Sequence, residues 1–155
     1  MTGWRLGWLV APDDAVEPLS RLAQNVFLAA STLSQHAALA AFSPECLDEL
    51  ERRRHELRRR RDTLLAGLKP LGLVPEVIPE GAFYLWLDIS CYTRDSKAFC
   101  QRLLVEEGVA ITPGSDFALQ DGDHYVRIAF TTNQARLEEV IARLSRFLAR
   151  QESKH

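Results

Sequence analysis

The spacing of apolar residues changes several times along the chain, and each change predicts an element. Trp4 to Ala11 (WRLGWLVA) is a short apolar run closed by Pro12-Asp13-Asp14, which predicts a strand, a turn and a helix start. From about Val16 to Phe42 the spacing is helical, with apolar residues nearly all round and small polar residues between them. A helix of that kind expects burial on several sides, a surplus for one small domain. Ser43-Pro44-Glu45 predicts a second helix start: Ser43 as N-cap, Pro44 in the first turn and a carboxylate behind it. This helix runs to about Leu68, before Pro70 and Gly72, with Leu47, Leu50, Leu57, Leu64 and Leu68 as its apolar stripe.

Beyond Gly72 the period falls to two. Phe83, Leu85, Leu87 and Ile89 alternate with Tyr84, Trp86 and Asp88, a strand entered through Pro79-Glu80-Gly81. Asp95 caps a helix carrying Phe99, Leu103 and Leu104 and closed by Gly108. Val109 to Ile111 reads as a brief strand leading into the turn Thr112-Pro113-Gly114-Ser115, and His124 to Thr131 as the next strand. A last amphipathic helix spans about Gln134 to Ala149. Two long helices, then strand–helix–strand–strand–helix, predict an α/β two-layer sandwich. Its small, mostly antiparallel sheet is covered by helices.

Composition adds mainly exclusions. With 155 residues, 46% of them hydrophobic and 26% charged, the chain suits a single globular domain with an adequate core. A net charge of −2 gives no general attraction to nucleic acid or an anionic membrane. Seven polar residues interrupt the apolar stretch Leu22 to Phe42, too many for a membrane span, and no secretory leader is visible. Cys46, Cys91 and Cys100 show no CxxC spacing, which points to reduced thiols in a cytoplasmic protein and to no zinc site. The four histidines are scattered, so no metal site is expected, and no serine sits in a GxSxG elbow.

The arginine-rich segment 52–61 looks basic in isolation. Between Glu45 and Asp62, however, seven arginines face six acids, and Asp48–Arg52, Glu49–Arg53 and Glu56–Arg60 are each four apart with the acid first. A solvated, ion-paired helix face is the better reading, ahead of a phosphate-binding patch. Two other arginines stand out by position: Arg5 at the start of an apolar run, and Arg127 in the middle of Tyr125-Val126-Arg127-Ile128-Ala129-Phe130. Alternation places Arg127 with Tyr125 and Ala129 on one strand face, opposite Val126, Ile128 and Phe130. Two readings stay open for it, a rim salt bridge or snorkelling side chain, and a bidentate clamp for a carboxylate or phosphate.

Taken in order, five segments resemble the class I/II, fold-type I aminotransferases. MTGWRLGWLVAP is similar to the stretch after that family's cofactor-holding lysine, and QNVFLAASTLSQHAALAAF to its interdomain helix. PEGAFYLWLDIS resembles the first strand of the small domain, GVAITPGSDF the loop at the active-site mouth, and YVRIAFT the strand of the substrate-binding arginine. The resemblance implies that residues 1–12 are a remnant strand of a large domain, 13–44 the interdomain helix and 45–155 the small domain.

It also implies roles. Arg5 would bind the phosphate of pyridoxal phosphate, and Arg127 the α-carboxylate of the amino acid or 2-oxo acid substrate. Gly81 and Ala82 would allow close approach to substrate, and Thr112-Pro113-Gly114 would shape the entrance. A homodimer is implied, with no nucleic-acid or membrane partner. The family's Schiff-base lysine would lie upstream of Met1, and Lys69, Lys97 and Lys154 stand in the wrong contexts to replace it. No catalytic residue is therefore assigned. The chain is expected to be a truncated portion, inactive alone, that does not itself retain the cofactor. The alternative is a stand-alone amino-acid-binding or dimerisation module derived from the same fold.

Overall fold

The structure is a computed structural model that describes residues 2–118 and 120–152. It divides into two compact units, Met1–Arg53 and Arg54–His155.

In the first unit, α1 (Asp13–Val26) begins after Pro12, with Asp13 and Asp14 in its first turn, where the helix dipole favours carboxylates. Next come α2 (Thr32–Ala40) and the opening turns of α3 (Pro44–Leu68), where the Ser43 hydroxyl accepts the Cys46 N–H at 3.3 Å as the predicted cap. The single helix expected over Val16–Phe42 is broken. Leu28 takes a left-handed φ of 65°, and the Gln35 amide donates to Ala30 O at 2.9 Å across the break. No glycine or proline marks this interruption, so periodicity alone runs straight through it.

The strand expected over Trp4–Ala11 is not formed. Thr2–Trp4 make a 3-10 turn, and the segment after Arg5 up to Pro12 forms no regular element and pairs with no strand among the described residues. A strand exists only through its partners, and none lies beside this one. Ser34, buried, anchors the turn by donating its hydroxyl to Trp4 O at 2.7 Å. Val16, Leu19, Leu22, Val26 and Phe27 are exposed, so the all-round apolar character of this region is not satisfied by burial here.

The second unit is the two-layer α/β sandwich the alternation predicts. Strands β1 (Tyr84–Asp88), β2 (Thr112–Pro113) and β3 (Tyr125–Ala129) form an antiparallel sheet in the order β1-β3-β2. Leu85 pairs with Ile128 and Leu87 with Val126, and these four residues point into the core. Helices α4 (Ser96–Glu107) and α5 (Gln134–Glu152) supply Phe99, Leu103, Leu137, Leu144 and Phe147 to the same core, and the end of α3 adds Leu64 and Leu68. Each such side chain stabilises the fold by about 1.5–3 kcal/mol through burial. Leu47 and Leu50, expected on the same stripe of α3, are instead exposed.

Asp95 caps α4 by accepting the Ala98 N–H at 2.9 Å, and Gly108 closes it at φ 65°. The brief strand expected at Val109–Ile111 lies slightly later, at Thr112–Pro113, where the backbone meets β3. At the far end of the α4–α5 layer, buried Glu107 accepts hydrogen bonds from Arg150 at 2.6 Å and Arg146 at 2.9 Å.

Candidate functional site

With Leu85, Leu87, Val126 and Ile128 turned inward, the other sheet face carries Tyr84, Trp86, Asp88, Tyr125 and Arg127. Arg127 lies on the central strand, paired with Trp86 on one side and Thr112 on the other. Its guanidinium carbon sits 4.3 Å from the centre of the Tyr84 ring and 4.0 Å from that of Phe117. Both contacts fall within cation–π range.

Arg127 is half-buried, and its side chain has no ion pair or hydrogen bond to any described residue. Asp88, the nearest acid along β1, spends its carboxylate on the Ser90 N–H at 2.7 Å, and that bond holds its pKa below the ordinary carboxylate range. Of the two readings of Arg127, the internal salt bridge is absent among the described residues. A guanidinium held against rings and lacking an acid can offer its planar fork of N–H donors to a carboxylate or phosphate.

Close backbone packing holds Phe117 in place. The turn from Gly114 to Asp116 lies against Gly122: a Cβ added at Gly114 would stand 2.5 Å from Gly122 O and 2.7 Å from Tyr125 O. A Cβ at Gly122 would come within 2.8 Å of Ser115 Cα. Ser96, fully buried at the start of α4, donates to Gly122 O at 3.2 Å and fixes the turn to the helix layer. Trp86 stacks on Tyr125 at 5.4 Å, extending the aromatic floor beside Arg127. The negative charge of Glu76 pushes the Tyr125 phenol up, with burial adding to it.

Gly81 and Ala82 lead into β1, and Ala82 takes a φ of 56°. A Cβ at Gly81 would meet no atom within 4 Å, so the loop there is open on its outer side. Both residues belong to the same unit as Arg127. Arg5 belongs to the other unit, exposed on the turn before α1 with a φ of 53°. Lys69 follows α3 and Lys97 lies in the first turn of α4, both exposed, whereas Lys154 lies outside the described residues.

The family model for aminotransferases of class I and II matches residues 1–144. The chain belongs to this family. Valine–pyruvate aminotransferase of Mycobacterium tuberculosis is 40% identical over 151 residues, which are 97% of this chain and 39% of that protein. A (5-formylfuran-3-yl)methyl phosphate transaminase of Methanocaldococcus jannaschii is 36% identical, covering 96% of this chain and 39% of its own length. Among solved structures, an aminotransferase from Mycobacterium tuberculosis superposes with a TM-score of 0.89 at 40% identity, over 96% of this chain and 38% of the other. The chain thus spans about 39% of the length of the curated relatives it matches.

Pairing across the sheet shows what the order of residues hides. Sequence reasoning singled out Arg127 but missed Tyr84 and Phe117, which flank it. Tyr84 was recognisable as belonging to the non-core face of its strand. Phe117 carries no local signal beyond the glycine-bearing turn that precedes it.

Proposed function

We propose that this chain is the C-terminal portion of a pyridoxal-phosphate-dependent aminotransferase that moves an amino group between an amino acid and a 2-oxo acid. In this reading residues 1–12 belong to the large domain, 13–44 join the domains and 45–155 form the small domain. One observation carries the reading: the Arg127 guanidinium lies against two rings, without an acid of its own among the described residues.

Arg127 receives the substrate's α-carboxylate with its N–H edge, as a fork, and so sets the direction of the α-carbon. Tyr84 and Phe117 keep water from its faces, which strengthens the charge-assisted bonds. Gly81 and Ala82 border the substrate on the approach to β1. Arg5 holds the cofactor's phosphate, a role that suits an exposed guanidinium with a fork of donors. These donors fit the phosphate and not the ring. When bound, pyridoxal phosphate supplies the electron sink that allows the bond from the α-carbon to hydrogen to break.

In this reading none of Lys69, Lys97 and Lys154 takes the place of the lysine that the family uses to hold the cofactor, and the 155-residue chain is inactive alone. A homodimer of the full protein and a cytoplasmic location complete the reading. The second reading, an amino-acid-binding module, draws on Arg127 and both its rings lying within one unit.

The test has two arms. Purified chain incubated with pyridoxal phosphate and a panel of amino acids gives no loss of aldehyde absorbance beyond the cofactor-only control. Alanine or pyruvate, titrated into isotope-labelled chain, shifts the Arg127 side-chain resonance saturably, and Arg127→Ala abolishes the effect on its neighbours. Turnover that Arg127→Ala removes would overturn the inactivity. Absence of a saturable shift would overturn the carboxylate role.

A further inference from the structure

The arginine-rich part of α3 is largely accounted for by ion pairs. Arg53 pairs with Glu49 at 2.6 Å, Arg60 with Glu56 at 2.9 Å and Arg61 with Asp62 at 2.7 Å, while Arg52 pairs with Glu49 and Arg59 with Glu56. Arg58 is left over. It is exposed, and it makes no ion pair or hydrogen bond with any described residue.

Arg58 also lines a cleft of about 670 Å³, a size typical of small-molecule sites. Arg54, Arg58 and Arg61, at spacings that share one helix face, form one wall together with Leu57. The loop Ile78–Ala82 forms the other wall, and Phe130 contributes from the core side. Arg61 ties the walls together by donating to Pro79 O at 2.9 Å. Arg61 is paired with Asp62, which leaves Arg58 as the arginine of this wall whose charge the cleft can use.

The loop adds donors of its own. Ala82 takes a left-handed φ of 56° directly after Gly81. Neither the Gly81 nor the Ala82 N–H has a hydrogen-bond partner among the described residues, and the Gly81 position is open.

We infer that this cleft binds a small organic anion, its carboxylate or phosphate on Arg58 and the Gly81–Ala82 amides, its apolar body against Leu57, Ile78 and Phe130. The site draws its charge from Arg58 and not from Arg127, which lies on the opposite sheet face from Phe130, and it meets the proposed substrate border only at the Gly81–Ala82 loop. It does not depend on transaminase chemistry. Arg58 supplies the charge, the loop supplies direction, and the apolar wall favours an anion carrying a ring over a bare one.

The experiment titrates isotope-labelled chain at low salt with phenyl phosphate and, separately, with inorganic phosphate, following the Gly81 and Ala82 amide resonances. Saturable shifts are expected with phenyl phosphate, with a dissociation constant at least fivefold below that for inorganic phosphate. Arg58→Ala should raise the phenyl phosphate constant at least tenfold, and Arg58→Gln, which keeps a long polar side chain but removes the charge, should raise it as well. Arg127→Ala should leave it unchanged. Non-saturating shifts, equal affinity for the two probes, or indifference to both Arg58 variants would overturn the site. Loss on Arg127→Ala would assign the anion to the sheet face instead. Because the amino-acid titration reports on Arg127, the two readings fail separately.

Discussion

The Phe117 ring centre lies 4.0 Å from the guanidinium carbon of Arg127, at the end of a turn that two glycines pack closely. Phe117 is more than half exposed, so its ring is placed by the turn and the arginine rather than by burial. An exposed contact of this kind is worth about 0.5–1 kcal/mol. That is small beside the cost of losing the arginine itself, about 2–5 kcal/mol when a charged partner is left unpaired.

Phe117→Ala is therefore expected to weaken amino-acid binding about two- to fivefold, with Phe117→Leu intermediate or equal, while thermal stability stays nearly constant. Isothermal titration of variants alongside melting curves checks this. A large drop in stability on Phe117→Ala would mean that the ring supports the fold rather than the guanidinium.

Gly114→Ala should cost about 1–3 kcal/mol, because its Cβ meets backbone atoms that no side-chain rotation can move. Gly81→Ala should fall within about 0.5 kcal/mol of the parent chain, as expected of an open surface position. Urea denaturation of the two variants gives the comparison directly. Equal midpoints would show that the turn relaxes more freely than its packing distances imply.

The acid limb of stability should be traceable to Glu107. Hydrogen bonding from Arg150, supported by Arg146, holds its carboxyl below the ordinary range. Its folded pKa therefore lies below its unfolded one, so its contribution is complete above the unfolded value of about 4.3 and is lost as pH falls through the folded value. Denaturant midpoints should be level from pH 6 to neutrality and fall below about pH 4. Glu107→Gln should flatten that fall relative to the parent chain. An unchanged acid slope would place the titrating carboxylates elsewhere, with Glu106 and Glu139, also lowered by arginine hydrogen bonds, next in line.

Local chemistry was legible wherever cause and effect lie within one turn of chain. Ser43 and Pro44 started α3 where capping requires it, Asp95 and Gly108 bounded α4, and alternation from Phe83 to Ile89 assigned both faces of β1. Features set by distant partners were not legible. Trp4–Ala11 has strand composition yet forms no ladder, because a ladder is a property of two segments. The break at Leu28 has no glycine or proline to announce it. The place of Phe117 follows from a glycine contact between residues 114 and 122, and Arg58 is singled out only once its neighbours' ion pairs are known. Arg127 was found because a charge in mid-strand is conspicuous, but its choice of rings over acids belongs to the folded chain.

The order β1-β3-β2 gives the molecule a division between what is stiff and what is adjustable. Arg127 rides on the one strand with a ladder on each side, so displacing it would require shearing two sets of backbone bonds at once. Tyr84 and Phe117 reach it from a flanking strand and from a turn. If Arg127 holds the substrate as proposed, an anchor fixed at the centre, with its neighbours on separately tunable segments, lets the surroundings of the arginine be re-cut for differently shaped ligands while the point of attachment stays where it was.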